Sequence, residues 1–148
     1  MQPILQFPSD VIDFVPYSEH EPMLLPLLFG LSAGFPSPAA DFMESEIDIL
    51  KLIIKNPCTT YFGRVSGNSM EGVHIHDGDI IVVDKSRDCK NGDIAVCFLD
   101  GELLVKRVYT KDHQCWLMAE NPKYAPIEIT AANDFQVWGV VISVVKMF

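Results

Sequence analysis

Proline is concentrated at the start of this chain, and its distribution is the strongest single constraint on how the chain can fold. Seven of the ten prolines fall within the first 38 of 148 residues: Pro3, Pro8, Pro16, Pro22, Pro26, Pro36 and Pro38. Because proline lacks a backbone N–H donor and fixes φ, this density disfavours regular helix and sheet. The sequence therefore predicts an extended arm over residues 1–40.

A different pattern begins after the arm. Asp41 and Glu44 have the spacing of a capping box, and apolar residues follow at helical spacing as far as Pro57, which predicts a helix near residues 41–55. Short apolar runs typical of strands then follow over 61–65, 79–84, 94–99, 102–109, 116–119 and 135–148. Asp100-Gly101 is a two-residue hairpin signal. We expect a mainly β domain over residues 41–148, with one helix preceding its strands.

The last predicted strand is apolar on both of its alternating faces. A strand covered on both sides is either central in a sheet or part of a subunit interface. The tail therefore favours a homodimer or a central position, and both readings stay open.

The charge balance is acidic, with 11 Lys+Arg against 20 Asp+Glu and a formal net charge of −9. The first 33 residues contain four acids and no base. Phosphate binding requires clustered Lys and Arg, so direct binding to nucleic acid is disfavoured. We expect any action on DNA to pass through a protein partner.

The apolar run over residues 23–31 superficially resembles the core of a secretory signal. It lacks the basic segment that precedes such a core, and it is shorter than the roughly 20 residues needed to span a bilayer. We predict no signal peptide and no membrane association. The run is better interpreted as an apolar arm that another surface recognises.

The cysteines and histidines give no clear metal motif. The four cysteines have no C-x-x-C spacing, and Cys97 lies in an apolar run typical of a buried free thiol, which favours a reducing, cytoplasmic location. His74 and His76 form an H-x-H pair without an identifiable third ligand. We expect neither a metal nor another cofactor.

A possible reactive centre combines a serine turn with a strand lysine. In the segment 66–70 (SGNSM), Gly67 permits a tight turn that would present Ser69 beside backbone N–H groups able to form an oxyanion hole. Lys106 alternates onto the same strand face as Leu104 and Val108, and burial there disfavours the charged ammonium form. A neutral lysine could take the proton from Ser69. A plain turn serine and a lysine reaching out to water remain the alternatives.

These motifs together resemble the UmuD proteins, the SOS mutagenesis members of the LexA-type self-cleaving family (peptidase S24). The resemblance rests on the segment 33–41 (AGFPSPAAD), on the SGNSM turn, and on a strand lysine 37 positions after Ser69. It extends from about Ala33 to the C terminus. It implies the compact protease fold of that family, preceded by the extended arm.

The resemblance also implies an activity. Ser69 would be the nucleophile, Lys106 its general base, the backbone N–H groups of Ser69 and Met70 the oxyanion hole, and Ala33–Gly34 the bond cut. Cleavage would be stimulated by the RecA filament on single-stranded DNA, and the product would join a UmuC-like Y-family polymerase subunit in translesion synthesis. The family also favours a homodimer.

Two other functions remain open at this point. A signal-peptidase-like protease shares the Ser–Lys chemistry and an S-x-x-S-M signature, but it would require a membrane anchor. A non-enzymatic interaction module would carry the same residues without using them. Because only the acidic arm precedes Ala33, we do not expect a DNA-binding repressor.

Overall fold

The computed structural model describes residues 5–6, 11–17, 21–29, 31, 33–34 and 43–148. The chain divides into two compact units, Met1–Ser18 with Asn56–Phe148, and Glu19–Lys55. The described residues of the larger unit form one antiparallel sheet. Its strands are β1 (Leu5–Gln6), β2 (Val11–Pro16), β5 (Thr60–Val65), β6 (Ile80–Asp84), β7 (Ile94–Leu99), β8 (Glu102–Lys111), β9 (Gln114–Met118), β10 (Ile127–Ile129) and β11 (Phe135–Val145).

The nine strands are hydrogen-bonded in the order β1-β2-β5-β6-β11-β7-β8-β9-β10. The last strand in the sequence, β11, lies between β6 and β7, so it has the central position in the sheet that the sequence allowed. Its register shifts twice, between Val137 and Gly139 and between Val141 and Ser143. These bulges bend a long strand, as expected in a curled sheet.

Two apolar clusters pack against opposite faces of β7 and β8. The buried residues of the first are Val65, Met70, Ile75, Ile81, Val83, Val96, Leu103 and Val105. The buried residues of the second are Ala95, Cys97, Val108 and Leu117. Because side chains alternate along a strand, β8 contributes to both clusters, and the predicted division of its faces is confirmed.

The predicted strands beyond residue 60 are confirmed with small changes of boundary, and the mainly β fold with one preceding helix is confirmed. Asp100 and Gly101 form the predicted hairpin turn, with φ of 48° and 90°. A second two-residue turn joins β8 to β9 through Asp112 and His113, with φ of 50° and 64°. Neither residue is a glycine, so the sequence carries no hairpin signal for this turn.

The described part of the smaller unit contains β3 (Leu25–Phe29), β4 (Met43–Ile47) and the helix α1 (Ile49–Ile53), and β3 pairs with β4. The prediction of a helix over 41–55 is therefore wrong in its first half. The helix begins after Asp48, whose side chain accepts a hydrogen bond from the backbone N–H of Lys51 at 3.1 Å. Asp41, the first residue of the expected capping box, lies outside the described residues.

The arm also contains more regular structure than predicted. Residues 5–6, 11–16 and 25–29 are strands. Two of the prolines lie within strand pairings: Pro16 is opposite Tyr61 of β5, and Pro26 is opposite Glu46 of β4. Proline is compatible with edge positions, where its missing N–H need not join a ladder. These segments of the arm are extended, as predicted, but the sequence did not predict that they pair with other strands.

Candidate active site

Ser69 lies on the connection between β5 and β6, close to the first apolar cluster. Gly67 has φ of 92°, so it makes the turn that the sequence predicted immediately before the serine. A single 3-10 turn follows at Glu71–Val73. Met70 and Ile75 are both buried and anchor this connection in the core. We call residues 66–72 the serine loop.

Lys106 lies in the middle of β8 opposite Ala95 of β7. Its Nζ atom donates a hydrogen bond to Ser69 Oγ at 2.8 Å and another to the carbonyl oxygen of Val105 at 3.2 Å. Ser69 and Lys106 are each only 6% exposed. The structure thus brings together two side chains that are 37 positions apart and removes both from bulk water.

This burial excludes the reading in which Lys106 extends into solvent. A lysine amine at hydrogen-bond distance from a serine hydroxyl is placed to take its proton when the amine is neutral. The Lys106 neighbours on its own face of the strand, Leu104 and Val108, are aliphatic and contribute to the second cluster. Chemically, the arrangement can deprotonate a serine without a histidine.

The backbone near Ser69 offers hydrogen-bond donors. Within the part of the chain that the structure describes, the N–H groups of Ser69 and Met70 donate no hydrogen bond. The neighbouring carbonyls of the same loop are used, because Glu71 N–H donates to Asn68 and Val73 N–H donates to Met70. Two adjacent N–H donors beside a serine hydroxyl are suited to stabilising an oxyanion that develops there.

A turn at residues 76–79 holds the first half of the serine loop. Asp77 Oδ1 accepts from the backbone N–H of Gly67 at 2.8 Å, and Gly78 N–H donates to the carbonyl of Val65 at 2.8 Å. Burial raises the pKa of Asp79, but hydrogen bonds from Lys146 and from the backbone of His76 outweigh it and hold that pKa below its ordinary value. Hydrogen bonds to the buried carboxylate of Asp79 thus stabilise the turn.

The second half of the serine loop approaches the chain at Glu120. Gly72 N–H donates to the carbonyl oxygen of Glu120 at 2.7 Å. A Cβ atom at position 72 would lie 2.5 Å from that oxygen, so only glycine fits this close approach. Asn121 and Tyr124, further along the same connection, hydrogen-bond to Asn68. Sequence analysis missed both residues, which lie in a polar connection without a motif.

The histidine pair lies beside the serine loop without forming a metal cluster. His74 and His76 have ring centroids 6.5 Å apart, and His76 Nδ1 lies 3.0 Å from Lys146 Nζ. Among the residues that the structure describes, no group of three or more metal-ligating side chains is found. Of the two, His76 hydrogen-bonds to Lys146 through its ring and to Asp79 through its backbone N–H.

The cysteines are free thiols, as the sequence predicted for Cys97. Burial, followed by the nearby thiols of Cys89 and Cys115, raises the pKa of Cys97 to about 12. Because the thiolate is the reactive form, this raised pKa disfavours reaction of Cys97 at neutral pH. It belongs to the second apolar cluster on the face of β8 that carries Lys106.

Ala33 and Gly34, the predicted cleavage residues, are described in the smaller unit, where they form an exposed bend. Exposed apolar side chains are numerous in the same unit: Met23, Leu24, Leu25, Leu31, Ile49 and Leu52. No helix in the described ranges is long and apolar enough to cross a membrane.

Residues 26–142 match the sequence profile of the Peptidase S24-like family. The chain belongs to this family. The protein MucA of Salmonella typhimurium is 41% identical over 112 residues, which cover 75% of this chain and 76% of MucA. The protein SamA of the same species is 41% identical over 109 residues, covering 74% of this chain and 75% of SamA.

The LexA repressor of Ectopseudomonas mendocina is also similar, at 35% identity over 134 residues that cover 90% of this chain and 65% of the repressor. The resemblance to UmuD proteins and to the LexA-type family is confirmed. The S24-like segment contains all five residues singled out for chemistry: Ala33, Gly34, Ser69, Met70 and Lys106.

Proposed function

We propose that this S24-like chain is a serine peptidase that cuts itself between Ala33 and Gly34, with Ser69 as nucleophile and Lys106 as general base. The observation that carries the proposal is the buried 2.8 Å contact between Lys106 Nζ and Ser69 Oγ. Membership of a peptidase family supports it independently. In functional terms, residues 1–40 are the substrate arm and residues 41–148 the catalytic domain.

In the first step, the neutral amine of Lys106 accepts the Ser69 hydroxyl proton while Ser69 Oγ attacks the carbonyl carbon of Ala33. The carbonyl oxygen becomes an oxyanion, which the N–H groups of Ser69 and Met70 stabilise. The tetrahedral intermediate collapses as the Ala33–Gly34 C–N bond breaks. Lys106, now an ammonium, returns its proton to the departing amine of Gly34.

The second step removes the acyl group. Ser69 is then esterified to the carboxyl carbon of Ala33, and Lys106 is again a neutral amine. Lys106 takes a proton from a water molecule, whose oxygen attacks the ester, and Ser69 leaves with that proton. The products are a 33-residue fragment that ends at Ala33 and a body that begins at Gly34.

The small size of the two cleavage residues suits this chemistry. Gly34 has no side chain to obstruct attack, and Ala33 would occupy a small pocket. Thirty-five positions separate Gly34 from Ser69, and an extended chain spans about 3.3 Å per residue, so the arm has ample reach. Tethering supplies a high effective concentration, which lets a weak peptidase cleave its own chain.

The resemblance supports a role in the SOS response. We propose that the RecA filament on single-stranded DNA stimulates cleavage, and that the shortened homodimer joins a UmuC-like Y-family polymerase subunit in the cytoplasm. The net charge of −9 supports a function exerted through protein partners already bound to DNA, because it disfavours a direct grip on phosphates.

Purified chain should be incubated with RecA, ATP and single-stranded DNA, and its products identified by mass spectrometry. We expect fragments that end at Ala33 and begin at Gly34, and none with Ser69→Ala. Cleavage at another bond, or equal cleavage by Ser69→Ala, would overturn the proposal. Omitting RecA at neutral pH is the matched control for stimulation.

A further inference from the structure

The connection from Glu120 to Tyr124 reaches the serine loop at more than one point, and we call it the clasp. Asn121 Nδ2 donates to the carbonyl oxygen of Asn68 at 2.8 Å. Tyr124 OH donates to Asn68 Oδ1 at 2.6 Å. Asn68 immediately precedes Ser69, so its main chain and its side chain are both fixed by residues more than 50 positions away.

A third contact fixes the other side of the serine. The carbonyl oxygen of Glu120 accepts from Gly72 N–H, at the place where a Cβ atom would not fit. The clasp therefore hydrogen-bonds to the serine loop at two places, one residue before Ser69 and three residues after it. A loop held at both ends of a four-residue interval has little freedom to move its central hydroxyl.

The clasp is also tied to the strand that carries the lysine. Arg107, the next residue after Lys106 on β8, forms an ion pair with Glu120 through Nε. Its guanidinium also donates to the carbonyl oxygen of Gly92 at 2.6 Å. The same short segment therefore contacts the serine loop on one side and the neighbour of Lys106 on the other.

The clasp has internal order of its own. Asn121 Oδ1 accepts from the backbone N–H of Lys123 at 3.0 Å, and Tyr124 N–H donates to the carbonyl of Asn121 at 3.1 Å. These bonds form a turn that holds the Asn121 amide with its donor toward Asn68. The side chain is thus oriented before it meets the serine loop.

We propose that Asn121 and Tyr124 are positioning residues that set the alignment of Ser69 with Lys106 by holding Asn68. The inference rests on the proposed self-cleavage and deepens it, because neither residue touches the reacting atoms. General-base catalysis requires a contact of hydrogen-bond length, and a displacement of about 1 Å can lower a rate by about 100-fold. The clasp removes the freedom that would permit such a displacement.

The test measures the first-order rate of self-cleavage of the full chain at alkaline pH, together with the thermal unfolding midpoint. Tyr124→Phe and Asn121→Ala should each lower the rate by about tenfold or more while the protein stays folded. Tyr109→Phe and Asn133→Ala are matched controls. Tyr109 is as exposed as Tyr124, at 44% against 45%, and Asn133 also donates a hydrogen bond between loops, to Asp100.

A double-mutant cycle separates positioning from general stability. Asn68→Asp keeps an oxygen that can accept from Tyr124 and should retain the rate within about threefold, whereas Asn68→Leu should lose about tenfold. In the Asn68→Leu background, Tyr124→Phe should have no further effect on the rate. A purely structural role would instead give additive losses that follow the unfolding midpoint.

Labelling of Ser69 by a fluorophosphonate gives a second readout that does not depend on the arm. Labelling should slow in Tyr124→Phe and Asn121→Ala by the same factor as self-cleavage. Wild-type rates of cleavage and labelling in these folded variants would contradict the positioning role of the clasp and leave the proposed function unaffected. Absence of Ser69-dependent cleavage in the unmodified chain would overturn both.

Discussion

At the scale of single residues, the candidate site depends on two polar side chains, Ser69 and Lys106, that are almost completely buried. Lys106 lies between the aliphatic side chains of Leu104 and Val108 on its face of the strand, and its amine contacts Ser69. Because the proposed base acts as a neutral amine, the rate of self-cleavage should rise with pH. A flat profile from neutral to strongly alkaline pH would count against a lysine base.

Replacement of the base should separate activity from stability. Lys106→Met has nearly the same volume and lacks the amine, so cleavage should fall by about 10²- to 10⁴-fold. The free energy of unfolding, measured in urea, should change by less than about 1.5 kcal/mol, because the substitution conserves volume. Lys111→Met, at the exposed end of the same strand, is the control and should leave both quantities unchanged. Normal cleavage by Lys106→Met would exclude its role.

Asp84 should make the fold sensitive to acid. Burial raises the pKa of this carboxyl, but hydrogen bonds from Asn56, Ser86 and Thr59 outweigh it and hold the pKa below its ordinary value. A carboxyl whose pKa is lower in the folded state stabilises the fold fully at pH values above its unfolded pKa of about 4. It loses this stabilisation as the pH falls through the folded pKa.

The corresponding measurement is the free energy of unfolding between pH 7 and pH 2. Asp84→Asn should cost about 2 kcal/mol at pH 7 and progressively less toward pH 2, since the protonated wild type loses the same charged hydrogen bonds. Asp88→Asn, at an exposed position, is the matched control. A constant difference between Asp84→Asn and wild type at every pH would contradict this account.

At the scale of strands and helices, local pattern predicted most elements of the larger unit because their alternation is unambiguous. The prediction of a helix over 41–55 is wrong in its first half because β4 pairs with β3, and this pairing overrides the helical spacing of the apolar residues there. The clasp was missed for a related reason. Asn121 and Tyr124 act through contacts with Asn68, and a polar turn carries no local sign of a distant partner.

The hairpin between β8 and β9 offers a test of turn chemistry. Asp112 and His113 both have positive φ, which costs a residue with a Cβ atom about 1 kcal/mol or more. Replacing the pair by Asn-Gly, through Asp112→Asn and His113→Gly, should raise the free energy of unfolding by about 1 kcal/mol. Urea denaturation measures the change.

The opposite change at the preceding turn is its control. Gly101 has φ of 90°, and a Cβ atom there would meet no atom within 4 Å. Gly101→Ala should therefore lower the free energy of unfolding by about 1 kcal/mol through backbone conformation alone. If both turns respond in the same direction, the argument from φ is wrong.

At the scale of the whole molecule, the proposed cut divides the acidic charge into two parts. The first 33 residues carry four acids and no base, and the remaining 115 carry sixteen acids and eleven bases. Both products would stay acidic, which disfavours direct phosphate binding by either of them. Under the proposed cleavage the arm would act by its removal, and the apolar side chains exposed in its unit are suited to recognition by a complementary apolar surface.

The most direct test of the central claim is intact mass spectrometry of purified chain held at a series of pH values without any partner. The account predicts two products, residues 1–33 and 34–148, that appear faster as pH rises in the wild type and are absent in Ser69→Ala. Lys106→Met should show the same loss. Products from Lys106→Met at the wild-type rate, or a chain that stays intact even at strongly alkaline pH, would contradict a Ser69–Lys106 peptidase.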